Sequence, residues 1–237
     1  DVLINLPLAL NTAFATVLVP TVAGALAVKN YTVARQKVSF SLLVSTVIAL
    51  PCTVGYIVLA QPILTAIYPN ASDGGLIFSM VAPTVFFSAM SQTMYGSLQG
   101  MGKIFTPALS VLLGGCIKLV LNLILIPIPK INIYGAPIGS VCCQATAFFV
   151  SFYVLRKNLD VKRPMVRCVL KPLICAVIMG GCVLFVYNAA LFMGNRAATM
   201  LSILSGGVIY IALIAVFKVF TKEELCALPI IGKRLSK

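Results

Sequence analysis

The stretch Pro107-Ala-Leu-Ser-Val-Leu-Leu-Gly-Gly-Cys-Ile-Lys118-Leu-Val-Leu-Asn-Leu-Ile-Leu-Ile-Pro127 decides the fold class. Nineteen residues lie between its prolines, and all but a few are apolar. At about 1.5 Å of rise per residue they cross most of a hydrocarbon core of about 30 Å as a helix. Lys118 stands near the midpoint, about 14–16 Å from either end, farther than a lysine side chain reaches. Gly114, Lys118 and Asn122 recur at intervals of four with Gly115 beside them, so one face is small and polar while the other is Leu, Ile and Val. A charge at that depth costs at least about 2.5–3.5 kcal/mol and must face protein or water.

Composition extends this reading to the whole chain. Of 237 residues, 60% are hydrophobic and 10% charged, and the mean hydropathy is +1.06. A soluble domain carries about 25% charged residues. Six further apolar spans flank the Lys118 helix: 3–28, 38–60, 76–99, 134–155, 172–193 and 197–217. The segment 61–68 is too short to cross, and 69–75 is a turn-rich loop. The expected fold is therefore an all-α polytopic membrane bundle of about seven transmembrane helices, kinked or broken where the 13 prolines fall. The Thr221-Lys222-Glu223-Glu224 run has capping-box form and predicts a short helix ending before Pro229, lying with its basic neighbours on an anionic leaflet.

The net charge of +13 raises nucleic acid as a partner, but the cations sit in the short links between spans, and none is expected to bind it. Fifteen of the 18 Lys and Arg residues fall on one side of the seven-span topology. Only Lys130 and Arg196 fall opposite, and Lys118 is within the membrane. The excess of basic residues marks the cytoplasmic side, so residue 1 lies outside and the C-terminus in the cytoplasm of a cell membrane. The chain opens on Asp1 directly into an apolar span, which reads as a segment of a longer protein.

Enzyme constellations are lacking. The sequence has no His, and its five acids (Asp1, Asp73, Asp160, Glu223, Glu224) all fall in links or tails. That excludes paired-carboxylate, Ser-His-Asp and HExxH chemistry within the chain. Of the 8 cysteines, those at 52, 116, 142, 143, 175 and 182 lie in apolar spans with no CxxC spacing, so neither metal nor cofactor is expected. What remains is polar decoration on membrane helices. Ser88, Gln92, Tyr95 and Gln99 follow helical period on the third span. Asn5, Thr12 and Thr16 share one face of the first, with Asn11 adjacent, and Ser140, Gln144 and Ser151 share one of the fifth. Such residues either hydrogen-bond helices together or line a cavity. Lys118 either caps carbonyls at a broken helix, with Asn122 nearby, or faces a hydrated cavity and an anionic group such as a phosphate. A carboxylate could reach it only from outside this chain.

Several motifs carry a family resemblance. Leu98-Gln99-Gly100-Met101-Gly102-Lys103 with Pro107, Ile117-Lys118-Leu119-Val120-Leu121-Asn122, and Ile133-Tyr134-Gly135-Ala136-Pro137-Ile138-Gly139 resemble the polysaccharide-flippase branch of the multidrug/oligosaccharidyl-lipid/polysaccharide exporter superfamily. Stage V sporulation protein B-like and lipid II flippase-like proteins are the nearest types. Lys171-Pro172 and the Thr221–Leu228 tail are similar too. The resemblance implies a fourteen-helix protein of two six-helix lobes and two extra helices, of which this chain is the eighth to fourteenth. Residues 1–160 would then be most of the second lobe, and 161–237 the extra pair with a basic tail. It also implies a bacterial membrane exporter that flips a lipid-linked oligosaccharide or cell-wall precursor by alternating access. The partners would be that anionic lipid substrate, the bilayer and the N-terminal lobe of the same protein. Lys118, Asn122, Gln92, Tyr95, Gln99, Ser88, Asn5, Thr12 and Gln144 are the expected substrate-binding residues. Lipid II flippases are similar in carrying cavity arginines, some on the helix matching the first span, and residues 3–28 contain none; the sporulation type is the better match. The rivals are a cation-coupled multidrug antiporter of the same superfamily, which needs an intramembrane carboxylate that this chain lacks, and a non-transporting structural membrane protein.

Overall fold

A computed structural model describes residues 2–68, 74–129, 131–159, 162–217 and 219. Among these residues the chain forms helices joined by short links, without strands. Seven helical stretches are long and apolar enough to cross a membrane. They are α1 (Val2–Ala27), α2 (Tyr31–Val58), the pair α4 (Gly75–Val81) and α5 (Pro83–Gly100), α6 (Phe105–Leu125), α7 (Gly135–Leu159), α8 (Lys162–Ala190) and α9 (Asn195–Val216). The short α3 (Ala60–Ile67) lies between the second and third spans. The expected tail helix at 221–228 lies outside the described residues.

Proline shapes the spans in two ways. Pro7, Pro20, Pro51 and Pro172 are carried inside helices. Pro83 instead breaks the third span at Ala82 and starts α5, where its missing N–H costs nothing. The end of α5 follows from its glycines. Gly102 takes φ +77, while the amides of Lys103 and Gly102 donate back to the Leu98 and Gln99 carbonyls, each at 2.9 Å. That is a Schellman ending, for which the left-handed glycine is required.

Two helices begin earlier than hydropathy predicts. α2 starts at Tyr31, not 38, and α8 at Lys162, so that Pro172 lies within α8. Lysine and arginine are good helix formers; they limit how deep a helix sits in the bilayer but not how far it runs. Arg156 and Lys157 likewise sit in the last turn of α7, where the exposed carbonyls favour positive charge.

α1, α2 and α5 pack mutually at the centre. α7 joins on the α5 side and carries α6 beyond it; α8 joins on the α2 side and carries α9. The α1–α5 crossing is close because Gly96 and Gly100, one turn apart, meet the carbonyls of Ala15 and Val19. A methyl placed on Gly100 would lie 2.7 Å from the Val19 oxygen. Small residues spaced by four allow such backbone contact between membrane helices. One buried core joins Leu18 and Val22 of α1, Val38 and Leu42 of α2, Met90, Met94 and Leu98 of α5 and Leu155 of α7. A second joins Leu43 and Leu50 of α2 to Cys175, Met179 and Val183 of α8 and Tyr210 of α9.

Candidate functional site

The polar residues of the apolar bundle gather along α5. Its Ser88, Ser91, Gln92 and Tyr95 line a pocket of about 230 Å³, closed by Leu8 of α1, Val111 of α6 and Cys143, Gln144 and Ala147 of α7. Intervals of three and four put Ser88, Ser91, Gln92 and Tyr95 on one helical face. Ser88 is 7% exposed and Ser91 1%, and Gln92, Tyr95 and Gln144 are half-buried. The Ser91 Oγ has no hydrogen-bond partner. The lining offers hydroxyl and amide groups, which both donate and accept, and carries no charged side chain.

Behind this pocket lies a hydrogen-bonded junction. Asn11 of α1 is fully buried, and its Nδ2 donates to the Ala89 carbonyl at 2.8 Å and to the Gln92 Oε1 at 3.2 Å. The Thr93 hydroxyl, 3.5 Å from the same Nδ2, pairs with the Ser45 hydroxyl of α2 at 2.5 Å. Three helices thus meet at one polar layer, and Gln92 belongs to both layer and pocket.

The other expected site residues lie elsewhere. Gln99 is exposed near the end of α5. Asn5 is exposed on α1, and Thr12, also exposed, donates to the Ala9 carbonyl of its own helix at 2.7 Å. Lys118 and Asn122 are half-buried on α6. Their contact is α7, which runs antiparallel to α6 in a defined register: Ser151 donates to Ser110 at 3.1 Å, Gly114 abuts the Cys143 carbonyl, and Gly139 abuts Asn122 Oδ1 and Lys118 Cγ. The open side of Lys118 and Asn122 belongs to a shallow strip of about 480 Å³, lined with Gly115, Leu119, Leu123 and Ile126. α6 and the turn after it supply that whole lining. α6 ends at Leu125, two turns beyond Lys118, and Ile126-Pro127-Ile128 prolong the apolar run.

Sequence reasoning did not single out Ser91 or the role of Asn11. Ser91 was accessible, three residues from Ser88 and four from Tyr95. Asn11 was not, because only the packing of α1 shows that its side turns inward. An apolar cleft of about 520 Å³ was also unforeseen. It runs between α2, where Pro51, Cys52 and Gly55 line it, and α8 and α9, where Met179, Gly206 and Gly207 do.

Two curated relatives cover most of the chain. The uncharacterized membrane protein YabM of Bacillus subtilis (strain 168) is 28% identical over 233 residues, which are 95% of this chain and 43% of YabM. The lipid II flippase MurJ of the same organism is 25% identical over 183 residues, 75% of this chain and 33% of that protein. The chain thus spans less than half the length of the curated relatives it matches. Residues 1–204 match the family described as lipid II flippase MurJ. An all-helical, multi-pass membrane chain matched over that extent belongs to the MurJ lipid II flippase family.

Proposed function

We propose that this chain is part of a flippase that moves a lipid-linked cell-wall saccharide precursor across the cytoplasmic membrane by alternating access. The observation that carries the reading is the uncharged, hydrogen-bonding pocket built by α5 and α7 inside a mostly apolar bundle, in a chain of this family. At about 230 Å³ it is smaller than the 300–1,000 Å³ usual for whole drug-sized ligands. It suits one ring of a larger saccharide, with Ser88, Gln92, Tyr95 and Gln144 exchanging hydrogen bonds with sugar hydroxyl and amide groups. The apolar cleft between α2, α8 and α9 suits the hydrocarbon chain of the same substrate. Residues 1–160 belong to one lobe that rocks against another, and 161–237 add two helices and a tail. The lysine and arginine distribution supports an external residue 1 and a cytoplasmic C-terminus.

The test is complementation of a flippase-deficient strain by the full-length protein, normalised to membrane-inserted protein. Gln92→Leu combined with Gln144→Leu removes hydrogen-bonding capacity at nearly constant volume. Loss of complementation on the order of tenfold or more is expected, since buried donors and acceptors on the substrate would go unpaired. Full complementation by the double variant would remove the pocket from the mechanism.

A further inference from the structure

The flank of α6 that carries Lys118 is unfinished. α6 lies chiefly against α7, and its window of apolar residues is only 11% buried, the lowest of the seven spans. Leu119 is 60% exposed and Leu123 68%. Exposed leucine alone requires nothing in a membrane, because lipid covers it. Lys118 and Asn122 are different, since hydrocarbon cannot receive a cation or an unpaired amide. Asn122 turns its Oδ1 inward against Gly139, where the atom is sealed without a hydrogen bond, so its Nδ2 is the end left for the outer side. Lys118 one turn earlier is also a donor only. The strip therefore presents two adjacent donors, one charged, framed by Gly115 and the apolar Leu119, Leu123 and Ile126.

We propose that this strip seats a further transmembrane helix of the full-length polypeptide, and that this helix carries a carboxylate between Lys118 and Asn122. Two donors spaced by one turn fit the two oxygens of one carboxylate, and a charge-assisted contact of this kind is the strong sort. None of the seven spans contains an Asp or Glu, so none of them carries a carboxylate to membrane depth. A further membrane helix is available to supply one, since the curated relatives are more than twice the length of the region matched here. A helix fits better than a free phosphate because the strip runs from Gly115 to Ile126, about 16 Å at helical rise. A phosphate would answer Lys118 but has no backbone to bring close at Gly115. Gly115, with open space where a side chain would stand, lets a partner backbone come close. The charge of Lys118 then serves the assembly of the protein, not the substrate, and the pocket on α5 keeps its own role.

The experiment uses the full-length protein and two readouts that do not depend on transport. A photo-crosslinking benzoylphenylalanine at Leu123 should form an intramolecular link, located by mass spectrometry, to a membrane segment outside residues 1–237. That segment should carry Asp or Glu within about one turn of the linked residue. Lys118→Glu should then lower the amount of folded, membrane-inserted protein on the order of tenfold, as breaking a buried ion pair does. Changing the identified carboxylate to Lys in the same protein should restore most of it. Cross-links to lipid alone, a linked segment without a carboxylate, or Lys118→Glu accumulating like wild type would each overturn the proposal. So would failure of the charge-swapped pair to recover.

Discussion

Asn11 offers the sharpest test of how the bundle is held, because three substitutions there separate packing from hydrogen bonding. Its two shorter Nδ2 bonds, to the Ala89 carbonyl and to Gln92, link α1 to α5 at this level, joined by a longer one at 3.5 Å to the Thr93 hydroxyl. Interhelical bonds in membrane proteins contribute about 0.6 kcal/mol on average and reach about 1.7. Asn11→Leu keeps the volume and loses both bonds, about 1.2 kcal/mol, but it also removes the buried and unpaired Oδ1. The net loss should stay near 1 kcal/mol, which is at most about 2–4 °C in midpoint and less in the longer full-length protein. Asn11→Ala adds a cavity and should cost more, about 2–3 kcal/mol. Asn11→Asp has nearly the shape of the native side chain, yet it replaces the donating amide by a carboxylate facing the Ala89 carbonyl, with only the distant Thr93 hydroxyl and a turned Gln92 amide to meet it. A buried, unpaired ion is the costliest of the three, at several kcal/mol, or a neutralised acid with a strongly raised pKa. Thermal stability of the detergent-solubilised full-length protein, followed by fluorescence size-exclusion chromatography, should therefore fall in the order Leu, Ala, Asp. Asp as stable as Leu would show that the amide is not the donor, and the junction would have to be redrawn.

Three other outcomes follow from the geometry. Gly100→Leu should separate α1 from α5 and lower the yield of folded protein severely, whereas Gly24→Leu on the same α1, which meets nothing within 4 Å, should be tolerated; equal yields in a fluorescence chromatography assay would refute the close crossing. In a protein freed of native cysteines, a single cysteine at Arg196 should react with an impermeant maleimide in intact cells, and cysteines at Lys103 and Asn158 only after permeabilisation. Labelling in the reverse pattern would invert the topology read from the basic residues. Gly207→Phe fills the cleft from a position with open space around it, so normalised flipping should drop while the amount of folded protein holds; unchanged flipping would take the cleft out of the substrate path.

The number and places of the spans were legible because a bilayer imposes one length on every crossing helix, and apolar runs of that length are hard to mistake. Helix ends in the basic links were less so. Nothing in Arg35 or Lys162 says whether a helix continues beyond its apolar stretch, and both α2 and α8 do. The polar face of α5 was legible from its period, since Ser88, Gln92 and Tyr95 share the pocket. Its extent was not. α5 is polar on several faces, with Thr93 and Ser97 buried toward its neighbours, and periodicity cannot rank polar residues that surround a helix. Lys118 shows the opposite limit. Its face on α6 was read from spacing, and α7 does pack there, but sequence alone could not show that α7 covers only half of it.

α2 enters both buried cores through consecutive residues, Leu42 into one and Leu43 into the other. Such a shared shaft couples α5 to the α8–α9 pair through one helix. On the proposed rocking motion, the last two helices would swing with the lobe as an outrigger, sweeping the surrounding lipid instead of sliding over the lobe. Spin labels on α5 and α9 should accordingly keep a constant separation through the whole transport cycle. Labels on α9 and on any element across the lobe boundary should report the full stroke. The apolar cleft, walled chiefly by α2, α8 and α9, would travel with them.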